Sequence, residues 1–102
     1  MATPLDLSTG RDTDGAPILR AVGELDLSNV DRFAAALAEA RSSAAADRVV
    51  VDLSEVEYLD SGAINVLFDN VDAIEVVVHR NLVAVLEISG FSDVGSVRLT
   101  SA

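Results

Sequence analysis

Short apolar segments separated by polar turns open the chain. An apolar piece at residues 5–7 is followed by residues 8–16, whose glycines, aspartates and small hydroxyl side chains are typical of a turn. A second apolar segment, residues 18–25, is bracketed by Pro17 and Gly23. We predict two strands that pair as a hairpin with a long loop.

A helical repeat of apolar residues follows this hairpin. Its members are Val30, Phe33, Ala34, Leu37 and Ala40. Residues three and four positions apart share one face of a helix, so this spacing predicts an amphipathic helix over residues 29–43. Ser28 is a favourable N-cap residue, and Asp31 three positions later would complete a capping box.

The middle of the chain predicts a strand that leads into a second helix. Val49, Val50 and Val51 form a continuous β-branched run, which is typical of a strand covered on both faces. Residues 54–58 are predicted to form a short connection, and Ser61 to cap a helix of about two turns. The apolar stripe of this helix comprises Ile64, Leu67, Phe68 and Val71.

Two arrangements are open for the segment that follows. In the first, residues 74–78 form a strand and Asn81 caps a third helix that ends near residue 89. In the second, the second helix continues to about His79 and residues 82–88 form the strand. The first arrangement is favoured, because valine and isoleucine lose χ1 freedom in helices.

Gly90 is predicted to end the third helix as its C′ residue, with Phe91 packing back on Leu86. Residues 96–100 are predicted to form the last strand. The chain then alternates strands with helices, which predicts an α/β fold: a mixed β-sheet of four to five strands with three or more helices packed against it.

Composition limits what this fold can do. A chain of 102 residues, half of them hydrophobic, is enough for one domain over residues 1–102. The 17 acidic residues face seven arginines and no lysine, giving a net charge of -10. Such a surface repels nucleic acids and anionic lipids, and it favours solubility or a partner with a basic face. Without a signal-peptide pattern or a long apolar run, we expect a soluble, cytoplasmic protein.

The residues needed for catalysis or metal binding are scarce. The chain has no cysteine, and His79 is its single histidine, so no His/Cys metal site and no cofactor are expected. Ser61 or Asp60 as a nucleophile would need a neighbouring base. Neither a G-x-S-x-G motif nor a phosphate-binding glycine pattern is present. We therefore expect a binding module rather than an enzyme.

Three segments resemble those of STAS-type anti-anti-sigma factors, also called anti-sigma factor antagonists. The first is GELDLS at residues 23–28, and the second is VVVDLS at residues 49–54, which continues to LDS at residues 59–61. The third is LEISGF at residues 86–91. The resemblance reaches from about residue 18 to the end of the chain and implies a STAS-like fold.

The resemblance also implies a function in transcription regulation. An antagonist of this kind binds an anti-sigma factor, often itself a serine kinase, and so releases a sigma factor. Phosphorylation at the start of the second helix then breaks the complex, because a phosphate adds about -1.5 to -2 charge units. The residues that the resemblance places in or near the partner surface are Asp26, Ser28, Asp60, Ser61, Gly62 and Asn65.

The chain departs from the family pattern at the acceptor of the phosphate. The usual motif is D-S-S-G or D-S-T-G with the phosphate on the second hydroxyl, and here that position is Gly62, followed by Ala63. Three explanations are open: a constitutive binder, phosphorylation at Ser61 instead, or a STAS branch that never used phosphorylation. We favour the first and third, since capping alone would explain Ser61.

Some of these residues have simpler structural roles to weigh. Asp26 and Asp60 each end a strand before a helix, where a carboxylate can serve as a turn or capping group.

The alternative function within the family is that of a STAS subunit of a lipid-transport ABC complex, which binds an ATPase and does not always rely on phosphorylation.

Overall fold

A five-stranded sheet forms the centre of the protein. The computed structural model describes residues 4–13, 15–43 and 48–100. The strands are β1 (Leu5–Arg11), β2 (Pro17–Leu25), β3 (Val49–Leu59), β4 (Ile74–Val78) and β5 (Ser96–Leu99). They lie in the order β1-β2-β3-β4-β5; β1 and β2 are antiparallel, and all other neighbours are parallel. The prediction of a mixed α/β sheet is confirmed.

The first hairpin is confirmed, but its loop is shorter than predicted. Strand β1 continues to Arg11, which pairs with Pro17. Within the loop, the Asp12 N–H donates to the Ala16 carbonyl at 2.8 Å, and the Gly15 N–H donates to the Asp12 carbonyl at 3.0 Å. Residues 8–11 were assigned to the turn because residues 8–16 are rich in glycine, aspartate and small hydroxyl side chains, yet they pair as an edge strand.

Helices are packed against the sheet, with apolar side chains filling the space between. They are α1 (Val30–Ser43), α2 (Ser61–Asp69), α3 (Arg80–Ile88) and α4 (Phe91–Val94). Phe91 is fully buried and its ring meets that of Phe68 edge to face, with centroids 5.4 Å apart. No helix in the described ranges is long and apolar enough to cross a membrane.

The open assignment after α2 is resolved in favour of a strand. Strand β4 lies between β3 and β5, and α3 follows it. Gly90 has a φ of 87°, a left-handed conformation that suits glycine at the end of a helix, as predicted. The cap of α3 was predicted wrongly: His79, not Asn81, is the N-cap, and its Nδ1 accepts from the Asn81 N–H at 3.2 Å.

Strand β3 is longer than predicted. Residues 54–58 were expected to form a connection, but they continue the strand to Leu59 beside β2. Two register shifts interrupt the pairing, one between Arg20 and Val22 and one between Gly23 and Glu24. These irregularities break the strict alternation of buried and exposed residues, which hides the strand from a pattern search.

Gly23 sits at the second irregularity, and only glycine fits there. Its φ is 123°, outside the range that other residues favour. A Cβ at this position would also overlap the carbonyl oxygen of Pro4. The glycine of the GELDLS segment is therefore explained by close packing of the chain against β2.

Candidate functional site

The candidate site is built where β2 and β3 end side by side. Leu25 and Leu59 are paired at the ends of these strands, and the Asp60 N–H donates to the Leu25 carbonyl at 3.1 Å. Because β2 and β3 are parallel, the segments that follow them emerge at the same edge of the sheet. The loop before α1 and the start of α2 are thereby brought together.

Asp26 shapes the loop before α1. Its Oδ1 accepts from the Ser28 N–H at 2.9 Å and from the Ser28 hydroxyl at 2.6 Å, an arrangement typical of an Asx turn. Helix α1 begins at Val30, one residue beyond the predicted start, and the Asn29 carbonyl accepts from the Phe33 N–H at 3.3 Å. Asn29, and not the predicted cap Ser28, immediately precedes the first helical residue.

Asn29 holds this loop against β2 and was missed by the sequence analysis. Its side chain is only 2% exposed. The Asn29 Oδ1 accepts from the Asp26 N–H at 3.0 Å, and its Nδ2 donates to the Glu24 carbonyl at 2.9 Å. The sequence signal that could have indicated this role is an asparagine between a strand and a helix, because its side-chain amide can both donate a hydrogen bond to a backbone carbonyl and accept one from a backbone N–H.

Asp60 caps helix α2. Its backbone is extended, and its Oδ1 accepts from the Ala63 N–H at 3.0 Å. Ser61, the predicted cap, is instead the first residue of the helix. The two adjacent residues both favour capping positions, and the strand pairing of Leu59 places Asp60 at the boundary.

Ser61 and Asn65 are both exposed on α2. They are four positions apart, so they lie on the same face of the helix. Gly62 is half-buried between Asp60 and the loop before α1. A Cβ at Gly62 would lie 3.3 Å from the Asp60 Oδ1 and 3.6 Å from the Leu27 Cδ2.

Leu27 is the second residue that the sequence analysis missed. Its side chain is 81% exposed although it is a large hydrophobic residue. It adjoins Gly62, so the loop before α1 and the start of α2 form one continuous surface. We call this the α2-start surface and define it by Leu27, Ser61, Gly62 and Asn65. An isolated exposed leucine is common, but one beside the predicted partner residues fits a contact surface.

The structure brings the predicted partner residues together at one end of the sheet. Asp26 and Ser28 form the turn before α1, whereas Asp60, Ser61 and Gly62 form the start of α2, with Asn65 one turn further. Asp26 and Asp60 both carry out the structural roles weighed above. In the described ranges, no group of three or more histidine, aspartate or glutamate residues is arranged to hold a metal ion.

Comparison with known proteins places this geometry in a family. The family model described as "Mlab, STAS domain" matches residues 8–94. No curated protein matches the sequence significantly.

Solved structures share the fold. An anti-sigma factor antagonist from Mycobacterium paratuberculosis superposes with a TM-score of 0.84 at 19% identity, covering 99% of this chain and 92% of that one. The anti-sigma factor antagonist SpoIIAA in its unphosphorylated form superposes with a TM-score of 0.72 at 14% identity, covering 94% of this chain and 89% of that one. An antisigma-factor antagonist STAS domain from Rhodobacter sphaeroides gives 0.54 at 28% identity, covering 72% and 84%.

Proposed function

We propose that this chain, which belongs to the STAS domain family, acts as an anti-sigma factor antagonist that binds an anti-sigma factor and so releases a sigma factor. The α2-start surface is the observation that carries the proposal. It joins an exposed leucine to the exposed side chains of Ser61 and Asn65, where the family resemblance places partner contacts. Such a mixture of one apolar anchor and polar neighbours suits a protein interface.

The charge near this surface indicates the partner's chemistry. Glu24 and Glu57 are exposed near the ends of β2 and β3, and the whole chain has a net charge of -10. Like charges would slow the approach of an acidic protein, whereas a basic face would be attracted. The partner in this proposal therefore presents a basic face around an apolar pocket for Leu27.

The binding is proposed to be constitutive. Gly62 stands at the usual acceptor position and has no hydroxyl to phosphorylate. The capping role that was expected for Ser61 belongs to Asp60, so Ser61 keeps an exposed hydroxyl and is the alternative acceptor. In neither case does the proposal require the protein to catalyse a reaction.

A second function is favoured by a separate observation. The family model that matches is described by the name Mlab and not as an antagonist, and Gly62 removes the usual phosphorylation site. Both fit the alternative of a STAS subunit in a lipid-transport ABC complex. In this second function, the present chain would bind the ATPase of the complex through the same α2-start surface.

Co-purification from native cells distinguishes the two functions. We expect the tagged protein to recover an anti-sigma factor, and Leu27→Asp to lose it. Ile88→Asp is the matched control, because Ile88 is 86% exposed but belongs to α3. Recovery of an ABC-type ATPase without an anti-sigma factor would establish the second function. Equal loss in both variants would show that the α2-start surface is not the binding site.

A further inference from the structure

Strand β3 extends beyond the neighbour that pairs with it. Its pairing with β4 ends at Leu53 and Val78, whereas β3 continues to Leu59. Over residues 54–59, β3 is paired only with β2. The other edge of this segment faces no strand among the described residues. Its outward backbone groups could pair with a further strand, apart from the Ser54 N–H, which donates to the Asp52 Oδ1 at 2.9 Å. We call residues 54–59 the free edge.

Space is available beside the free edge. After Val78, the extended residue His79 caps α3, which begins at Arg80. A groove of about 450 Å³ is lined here by Val22 of β2, residues 54–57 of β3, His79 and Asn81. The groove therefore reaches from β2 across β3 to the chain that follows β4.

We propose that the free edge binds an extended segment of a partner protein that carries basic side chains, which adds a strand to the sheet beside β3. Backbone hydrogen bonds would provide the affinity, as in other cases of strand addition. The free edge is six residues long, and at about 3.3 Å per residue it spans roughly 20 Å. A segment of five or six residues would cover it.

The acidic side chains of the free edge indicate that the partner segment carries basic side chains. Glu55 and Glu57 are exposed on the free edge while Val56 between them is buried. Glu55 forms an ion pair with Arg20, whereas Glu57 forms none within the described part of the chain. Side chains of an added strand alternate between two faces, so those beside the glutamates would be basic. Pairing of two copies of this chain would instead bring like charges together.

This inference does not rest on the proposed function. The free edge leads into Asp60, so the same partner could occupy both surfaces, but the two sets of contacts are separate. One is a set of side chains at the start of α2, and the other is a strand edge. Each can fail in experiment without the other.

Synthetic peptides test the proposal directly. The probe is a six-residue peptide of alternating arginine and valine, added to the full chain and followed by amide hydrogen exchange. We expect new protection of amides in residues 54–59. A glutamate–valine peptide should give none, and an arginine–valine peptide with alternate backbone nitrogens methylated should also give none, because it keeps the charge but lacks the donors.

Substitutions locate the binding site. Glu57→Arg should lower the affinity of the chain for the arginine–valine peptide roughly fivefold, which is the size expected for the loss of one exposed ion pair. Glu39→Arg makes the same charge change on an exposed position of α1 and should leave the affinity nearly unchanged. Equal binding of the methylated peptide, equal weakening by both variants, or protection confined to residues outside the free edge would each overturn the proposal.

Discussion

The Cδ2 methyl of Leu27 lies 3.6 Å from the point where a Cβ on Gly62 would stand. This proximity places the loop before α1 beside the first turn of α2, so two segments that are far apart in sequence form one surface. A Cβ at position 62 would lie 3.3 Å from the Asp60 Oδ1, so a small side chain there requires the Asp60 carboxylate to shift by a few tenths of an ångström.

Gly62→Ser tests whether the missing hydroxyl alone separates this chain from a phosphorylated antagonist. The serine should be accommodated with a change of less than about 1 kcal/mol in the free energy of unfolding, because the Asp60 carboxylate need move only slightly. Incubated with candidate kinases and ATP, the variant should gain one phosphate by intact mass, and the unaltered chain none. A gain in the unaltered chain that disappears in Ser61→Ala would assign the phosphate to Ser61 instead.

Asp60→Ala should destabilise the protein by about 1 kcal/mol, because it removes the side chain that accepts from the Ala63 N–H. Asp60→Asn should lower the free energy of unfolding much less, since the amide oxygen of asparagine can still accept from the Ala63 N–H. Urea unfolding measures both. Ser61→Ala is the contrasting variant. Because Ser61 is exposed and is not the cap, this substitution should change the free energy of unfolding by no more than about 0.5 kcal/mol. A larger cost for Ser61→Ala than for Asp60→Ala would contradict the assignment of the cap.

Gly23→Ala should destabilise the protein by more than about 2 kcal/mol. The alanine would need a left-handed conformation, which costs roughly 1–2 kcal/mol, and its Cβ would overlap the Pro4 carbonyl oxygen. Gly10→Ala is the matched control in β1, where a Cβ would meet no atom within 4 Å. Thermal unfolding should therefore separate the two variants clearly, and similar melting temperatures would show that Gly23 is not constrained.

Asn29→Ala should cost about 1–3 kcal/mol, because the Asp26 N–H and the Glu24 carbonyl would lose a buried partner. Asn29→Asp keeps the acceptor but not the donor, so it should recover only part of the loss. Chemical denaturation gives both values. If Asn29→Ala unfolds at the same denaturant concentration as the unaltered chain, water satisfies these groups and the asparagine is dispensable.

The sequence alone determined the elements whose signals are local. The β-branched residues 74–78 were predicted as a strand because valine and isoleucine disfavour helices, and Gly90 was predicted to end α3 because glycine tolerates a positive φ. The resemblance of three segments to STAS proteins is likewise written in the sequence. So is the absence of a hydroxyl at Gly62, which no structure is needed to see.

The tertiary structure decided where the elements meet. Several neighbouring residues could cap each helix, and the predictions chose Ser61 and Asn81 where the structure uses Asp60 and His79. The choice depends on where the preceding strand stops, which is set by hydrogen bonds to another strand, such as the one from Asp60 to Leu25.

The same reason explains the surfaces that the sequence did not reveal. Strand β3 extends to Leu59 because β2 pairs with it through two register shifts, and no local pattern records that pairing. The exposure of Leu27 beside Gly62 and the free edge of β3 both depend on which strands end together. Local propensity fixes the type of an element, whereas contacts between distant segments fix its ends, and in this protein the candidate binding surfaces lie at those ends.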